Sequence, residues 1–175
     1  MFKKLLLISI FSGSLVVAQP HYTRIRGAFG AEIFGIAPKG AVTAEAAFGY
    51  GRNSFWNVQA GVGAVHERDF WSPSFSAALT HCFLLNPYRR KTCIPQPGHR
   101  NIETYLEAGL ASLFIDLYDR SMHTQQLVTP LGMAGLRFNL VTDRWIYVLK
   151  VRYTPPLIAN PLASHAGAGI AVAWR

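Results

Sequence analysis

Apolar residues recur at every second position through most of the chain. In residues 42–50, Val42, Ala44, Ala46, Phe48 and Tyr50 share one face, and Thr43, Glu45, Ala47 and Gly49 the other. Trp56, Val58, Ala60, Val62 and Ala64 oppose Asn57, Gln59, Gly61 and Gly63. Trp145, Tyr147, Leu149, Val151 and Tyr153 oppose Ile146, Val148, Lys150 and Arg152, and Ala166, Ala168, Ile170, Val172 and Trp174 oppose His165, Gly167, Gly169 and Ala171. Successive side chains of a strand point to opposite faces, so each stretch predicts a strand with one greasy face and one small or polar face. Eight such segments are predicted, near 22–36, 41–51, 54–66, 73–85, 102–115, 126–140, 145–154 and 164–175.

Turn-forming residues separate them: Pro38-Lys39-Gly40, Gly51-Arg52-Asn53, Glu67-Arg68-Asp69, the stretch from Asp116 to Ser121, Thr142-Asp143-Arg144 and Pro155-Pro156 onward. Most segments exceed the nine or so residues that a tilted strand needs to cross a bilayer. Glycines inside the segments oppose helix.

Composition sharpens the picture. Half of the 175 residues are hydrophobic, yet after residue 18 no run is long enough for a membrane-spanning helix. The first 18 residues stand apart. Lys3 and Lys4 precede an apolar stretch from Leu5 to Val17, and Val16 and Ala18 occupy the −3 and −1 positions of a cut before Gln19. That order of features predicts a secretory signal peptide over 1–18 and one barrel domain over 19–175. Removing the peptide takes away two bases and no acid, lowering the formal net charge of +8 by two. Export argues against nucleic acid as the partner of this basic chain.

In a soluble barrel the apolar face turns inward; in a membrane barrel it turns outward and the polar face fills the middle. Here the polar faces carry Arg24, Arg26, Glu32, Glu45, Glu103, Glu107, Arg137, Lys150 and Arg152, with Asn57, Gln59, Tyr105, Thr129 and Asn139. Small residues interleave the charges, as a narrow interior requires. Aromatics gather near strand ends: Tyr22, Tyr50, Phe55, Trp56, Phe138, Trp145 and Trp174 at one rim, and Phe70, Trp71, Phe75, Phe114, Tyr118 and Tyr153 at the other. Two aromatic girdles suit an apolar band between two interfaces. The expected fold is therefore all-β: an eight-stranded antiparallel up-and-down transmembrane barrel. Eight strands enclose only enough room for side chains, and buried charges must pair. The nine charged residues are expected to form an ionic network that plugs the lumen, with Arg137 and Lys150 meeting Glu103 or Glu107. Porin-like outside, the barrel is expected to be closed within.

The signal peptide, alternating strands, ionic interior and aromatic last strand resemble the small eight-stranded outer-membrane proteins of Gram-negative cell envelopes, the OmpA and OmpX type. The resemblance implies insertion among outer-membrane lipid and lipopolysaccharide. Gly169-Ile170-Ala171-Val172-Ala173-Trp174 is similar to the terminal signal read by barrel-assembly machinery, although Arg175 follows the aromatic. The run from Ala134-Gly135-Leu136-Arg137 through Thr142-Asp143-Arg144-Trp145 to Leu149 and Arg152 resembles part of the conjugal-transfer protein TraO. It implies a subunit of an envelope machine as an alternative role.

Cys82 and Cys93 flank the basic run Arg89-Arg90-Lys91. An oxidising compartment predicts a disulfide between them, and the three bases suit phosphate groups on lipopolysaccharide or a protein partner. With eight strands this connection lies on the periplasmic side, where turns are usually short; either the strand count is off by one or the loop is unusual.

Catalytic sets are weak. Ser164 and His165 are adjacent and so point to opposite faces of a strand. His81 has no Ser two residues away, and His66 with Glu67, and Asp116 with Asp119 and His123, lie in or near turns, where they read as polar loop residues. No phosphate loop, nucleophile elbow or metal-ligand cluster appears. The expectation is a non-enzymatic envelope scaffold or interaction protein without cofactor or metal. A lipid-modifying barrel enzyme and a soluble exported ligand-binding barrel are the alternatives.

Overall fold

The computed structural model describes residues 23–36, 39–67, 70–86, 101–118, 124–142, 144–159 and 162–175. Residues 1–18, the expected signal peptide, lie outside these, as do Cys93 and Arg89-Arg90-Lys91. Eight strands follow in order: β1 Gly27–Phe34, β2 Ala41–Phe48, β3 Ser54–Glu67, β4 Phe70–Leu84, β5 Asn101–Tyr118, β6 Thr124–Val141, β7 Ile146–Tyr153 and β8 Ala166–Trp174. Each pairs antiparallel with its sequence neighbours, and β8 closes onto β1 from Gly27↔Trp174 to Phe34↔Gly167. Closure leaves no sheet edge between the first and last strands.

Both β1 and β8 meet the same rim, here called the lower one. The turns between β2 and β3 and between β6 and β7 stand there too, and the connection from β4 to β5 leaves from it. With eight strands confirmed, that long connection belongs to the rim where β1 begins.

The wall is uneven. β5 and β6 have 18 residues each and β3 and β4 have 14 and 15, whereas β1, β2 and β7 have 8 and β8 has 9. Pairing of β6 with β7 stops at Ala134↔Tyr153. Above it, the segment after β7 continues the wall: Gly132 donates its N–H to the Pro155 carbonyl, and Leu157 donates to the Pro130 carbonyl, both at 2.9 Å. Pro155 and Pro156 cannot donate to a ladder, which ends β7 here.

Alternation sets the two faces. Along β7 the burial alternates strictly, with Ile146, Val148, Lys150 and Arg152 inside and Tyr147, Leu149, Val151 and Tyr153 outside. Close strand approach demands small residues at some positions. A Cβ on Gly30 would lie 2.5 Å from the Ala171 Cβ, and one on Gly109 would lie 2.8 Å from the Thr80 Cα.

Candidate functional site

The interior is layered. Its middle layer is ionic, and six of the nine expected charges meet in it. Arg137 on β6 reaches Glu45 on β2 through Nη1 at 2.8 Å, and Glu107 on β5 at 3.5 Å. Arg152 on β7 donates from Nε to Glu107 at 2.8 Å and from Nη1 to Glu32 on β1 at 2.9 Å. Lys150 on β7 pairs with Glu45. Gln59 on β3 stitches the groups together, donating to Glu32 at 2.8 Å and accepting from Arg152 at 2.7 Å and Lys150 at 3.3 Å. Asn57 donates to Glu45 at 3.3 Å, and Arg137 Nε donates to Asn139 at 3.1 Å. All these residues are buried. Three carboxylates face three cations drawn from five strands, so the layer is balanced and ties opposite walls together.

Three of the expected members lie elsewhere. Arg24 and Arg26 are exposed at the lower rim, with the Arg24 guanidinium 5.7 Å from the centre of the Tyr50 ring. The reason is local: the alternation breaks before β1, where Ile25 rather than Arg26 turns inward. Glu103 is buried but bonds no base among the described residues. It accepts the Thr23 N–H and the Tyr105 hydroxyl, both at 2.8 Å. Because β1 and β5 stand opposite each other in the closed order, a bond from Thr23 to β5 means that residues 23–25 cross the lower mouth. The Ile25 N–H bonds the Tyr50 hydroxyl at 2.9 Å, and that hydroxyl donates to the Ile25 carbonyl. Arg137 therefore meets Glu107 as expected, and Lys150 meets Glu45 instead of Glu103 or Glu107.

Apolar plugs lie above and below the ionic layer. The upper one comprises Ile36, Val65, Ala78, Ala111, Leu113, Ile115, Leu131, Met133 and Ala163. Below, Phe55, Cys82, Leu84 and Tyr105 form one cluster, and Ile25, Ala28, Val141, Ile146, Val148, Ala171 and Ala173 another. Phe55, expected in an aromatic girdle, points inward. It packs edge-on against Tyr105 with ring centres 5.3 Å apart, and the Arg137 guanidinium lies 5.7 Å from its centre. Tyr50, also expected in that girdle, is half-buried against Phe55.

Cys82 carries a free thiol in this lower cluster, with Sγ 3.6 Å from Glu107 Oε1. No bridge is found for it, and its expected partner Cys93 lies outside the described residues. Cys82 faces the lumen rather than the connection that the bridge was to pin.

The outer face is apolar along its height. Phe83, Leu79, Phe75 and Trp71 are exposed on β4, and Leu106, Leu110 and Phe114 on β5. Ile170 is 65 % exposed and Phe29 60 %. His81 lies on this face between two aromatics, stacked on Trp56 with centres 4.5 Å apart and edge-on to Phe83 at 4.1 Å. Ser164 is half-buried and its neighbour His165 exposed. Among the described residues no three His, Cys, Asp or Glu side chains converge to hold a metal ion.

No family model and no curated protein matches this chain, so they lend the TraO-like stretch no support. Among solved structures, the chain is similar to the N-terminal beta-barrel domain of Pseudomonas aeruginosa OprF. The TM-score is 0.50 and the identity 16 %, over 86 % of this chain and 98 % of that one. At that identity the likeness concerns the fold, and it is the eight-stranded barrel expected from the resemblance to the OmpA type.

Proposed function

We propose that this chain is an integral outer-membrane barrel, closed through its lumen, that serves the envelope as a scaffold or interaction protein rather than as an enzyme. The observation that carries the reading is the outward apolar belt. A water-soluble protein rarely exposes contiguous apolar surface beyond a few hundred Å², whereas here large apolar side chains line the outer face from strand to strand and Glu32, Glu45, Glu103, Glu107, Arg137, Lys150 and Arg152 are buried inside. The belt also has a fitting height. From Phe83 to Phe75 along β4 is eight positions, or roughly 21 Å at about 3.4 Å per residue and a tilt near 40°. Extending the count to Trp71 gives roughly 31 Å. These values bracket the band of about 25 Å that an outer-membrane barrel shows to lipid. An interior filled by paired ions and two apolar plugs supports a closed lumen.

Two tests decide it. Mature protein from membrane fractions is expected to resist carbonate extraction and to migrate differently on denaturing gels before and after boiling. Release into a soluble fraction with no shift would overturn the membrane reading and favour a soluble ligand-binding barrel. In planar bilayers the protein is expected to give no steady conductance in the nanosiemens range; such steps would overturn the closed lumen.

A further inference from the structure

The lower rim is basic. Arg24 and Arg26 stand before β1, Arg52 in the turn between β2 and β3, Arg144 in the turn between β6 and β7, and Arg175 after β8, and all five are exposed. Among the described residues no exposed acidic side chain stands at this rim: Glu103, the acid nearest the mouth, is buried against Thr23 and Tyr105. The cyclic strand order sets Arg26, Arg52, Arg144 and Arg175 at neighbouring positions along one arc, with Arg24 beside them on the strap, over Tyr50. Taken round the barrel, β6, β7, β8, β1, β2 and β3 are neighbours, so the two turns and the flanks of β1 and β8 adjoin.

The arc sits at the edge of the apolar belt. Trp145 follows Arg144 in the chain and Trp174 precedes Arg175, and both indoles are about half exposed on the outer face, as are Phe48 and Trp56 at the ends of β2 and β3. Aromatic side chains at a belt edge settle at the interface between acyl chains and headgroups. One residue further, a guanidinium arrives at the depth of the phosphates, which its forked donors suit. The arginines keep donors to spare: Arg175 gives one bond to the Thr142 carbonyl at 3.3 Å, and Arg24 leans on Tyr50.

We propose that this arc binds the headgroups of anionic phospholipid in the leaflet that surrounds the lower rim, selecting them over zwitterionic lipid. The proposal rests on the membrane reading above. Charge complementarity and the depth set by the tryptophans favour lipid phosphate over a soluble acidic partner, because Arg26, Arg52, Arg144 and Arg175 flank strands of the outer wall, at whose edge lipid headgroups would lie.

The test reads the rim tryptophans. Three of the four tryptophans, Trp56, Trp145 and Trp174, stand near the lower rim; a Trp71→Phe variant removes the fourth. The mature barrel with this change is reconstituted into phosphatidylcholine vesicles containing a small fraction of either phosphatidylglycerol or phosphatidylcholine brominated on the acyl chains near the glycerol. Brominated phosphatidylglycerol is expected to quench as though enriched about fivefold at the rim at low salt, the factor one basic side chain contributes near an anionic surface. The enrichment is expected to fall toward unity at about 0.5 M salt, where charges screen within a few ångströms. It is also expected to drop when all five arginines become Gln. Should that variant fail to fold, Arg52→Gln with Arg144→Gln alters turn positions only and is expected to lower the enrichment measurably. Equal quenching by both brominated lipids overturns the proposal and leaves the membrane reading standing. Quenching by neither overturns the membrane reading itself.

Discussion

Glu45 and Glu107 each accept from three side chains in the lumen, and the loss of Glu45 tests whether the ionic layer holds the barrel together. Glu45 accepts from Arg137 at 2.8 Å, from Asn57 at 3.3 Å and from Lys150. Glu45→Gln keeps the shape and removes the charge, leaving two acids to face three buried bases. The amide oxygen can still accept from one of the two bases; the other falls back on its remaining contacts, Lys150 on Gln59 at 3.3 Å or Arg137 on Glu107 at 3.5 Å and on Asn139. Arg137 Nη2 already lacks a partner among the described residues. Breaking a buried ion pair by removing one side costs about 3–5 kcal/mol. For a domain of this size each kcal/mol moves a midpoint by roughly 2–4 °C. Glu45→Gln is therefore expected to lower the temperature at which the compact gel form converts to the unfolded one by about 6–20 °C. Adding Lys150→Met restores the balance of two acids and two bases and is expected to recover part of the loss, with a coupling of about 0.5–3 kcal/mol. A midpoint within a degree or two of the parent for Glu45→Gln would refute the reasoning and mean that the layer is hydrated rather than held by ion pairs. A double variant no better than the sum of its singles would refute the coupling.

The strap across the lower mouth offers a second handle. Glu103→Ala removes the acceptor of the Thr23 N–H and the Tyr105 hydroxyl, so trypsin is expected to cut after Arg24 in the folded barrel several times faster, with little change in the melting of the wall; an unchanged rate would show that the strap is held elsewhere. The Cys82 thiol is buried in the lumen. In a Cys93→Ser background it is expected to resist maleimide in the folded barrel and to react after boiling, and rapid labelling before boiling would show that the lower plug is open.

Much of this barrel is legible in the sequence, and one reason explains both the successes and the misses. A strand has only two faces, so a single well-placed charge fixes the parity of every residue on it. Lys150 and Arg152 orient β7 in this way, and Glu45 orients β2. The same count from Glu107, made along the sequence alone, also places Ala111, Leu113 and Ile115 inside, where they are found. Hydrophobicity hides it, because Leu110 and Phe114 face outward beside Leu113 and Ile115, so both faces of upper β5 read as greasy. The sequence shows alternation only where the interior is polar; where the interior is an apolar plug, alternation vanishes although the strand continues. β5 and β6 reach further, to Tyr118 and from Thr124, than the segments predicted over 102–115 and 126–140, because the stretch from Asp116, whose residues suit a turn, continues the ladder as far as Tyr118↔Thr124.

The misplaced residues share a different cause. Arg24, Arg26, Phe55 and Glu103 all lie at the lower rim, where parity stops being a guide. Before β1 the backbone leaves the ladder and turns across the mouth, which sends Ile25 inward and the two arginines out. The same crossing brings a backbone N–H to Glu103 and supplies by a main-chain donor what a guanidinium was expected to supply. Phe55 then fills the space beneath the strap, against Tyr50 and Tyr105. In the middle of the barrel each charge is set by the strand it sits on. At the mouth it is set by a contact between β1's approach and β5, 80 residues apart in sequence, and no local pattern encodes such a contact. The outward arginines at this rim are thus a consequence of the strap: the fold that closes the lower mouth with Ile25 is also the one that leaves Arg24 and Arg26 exposed.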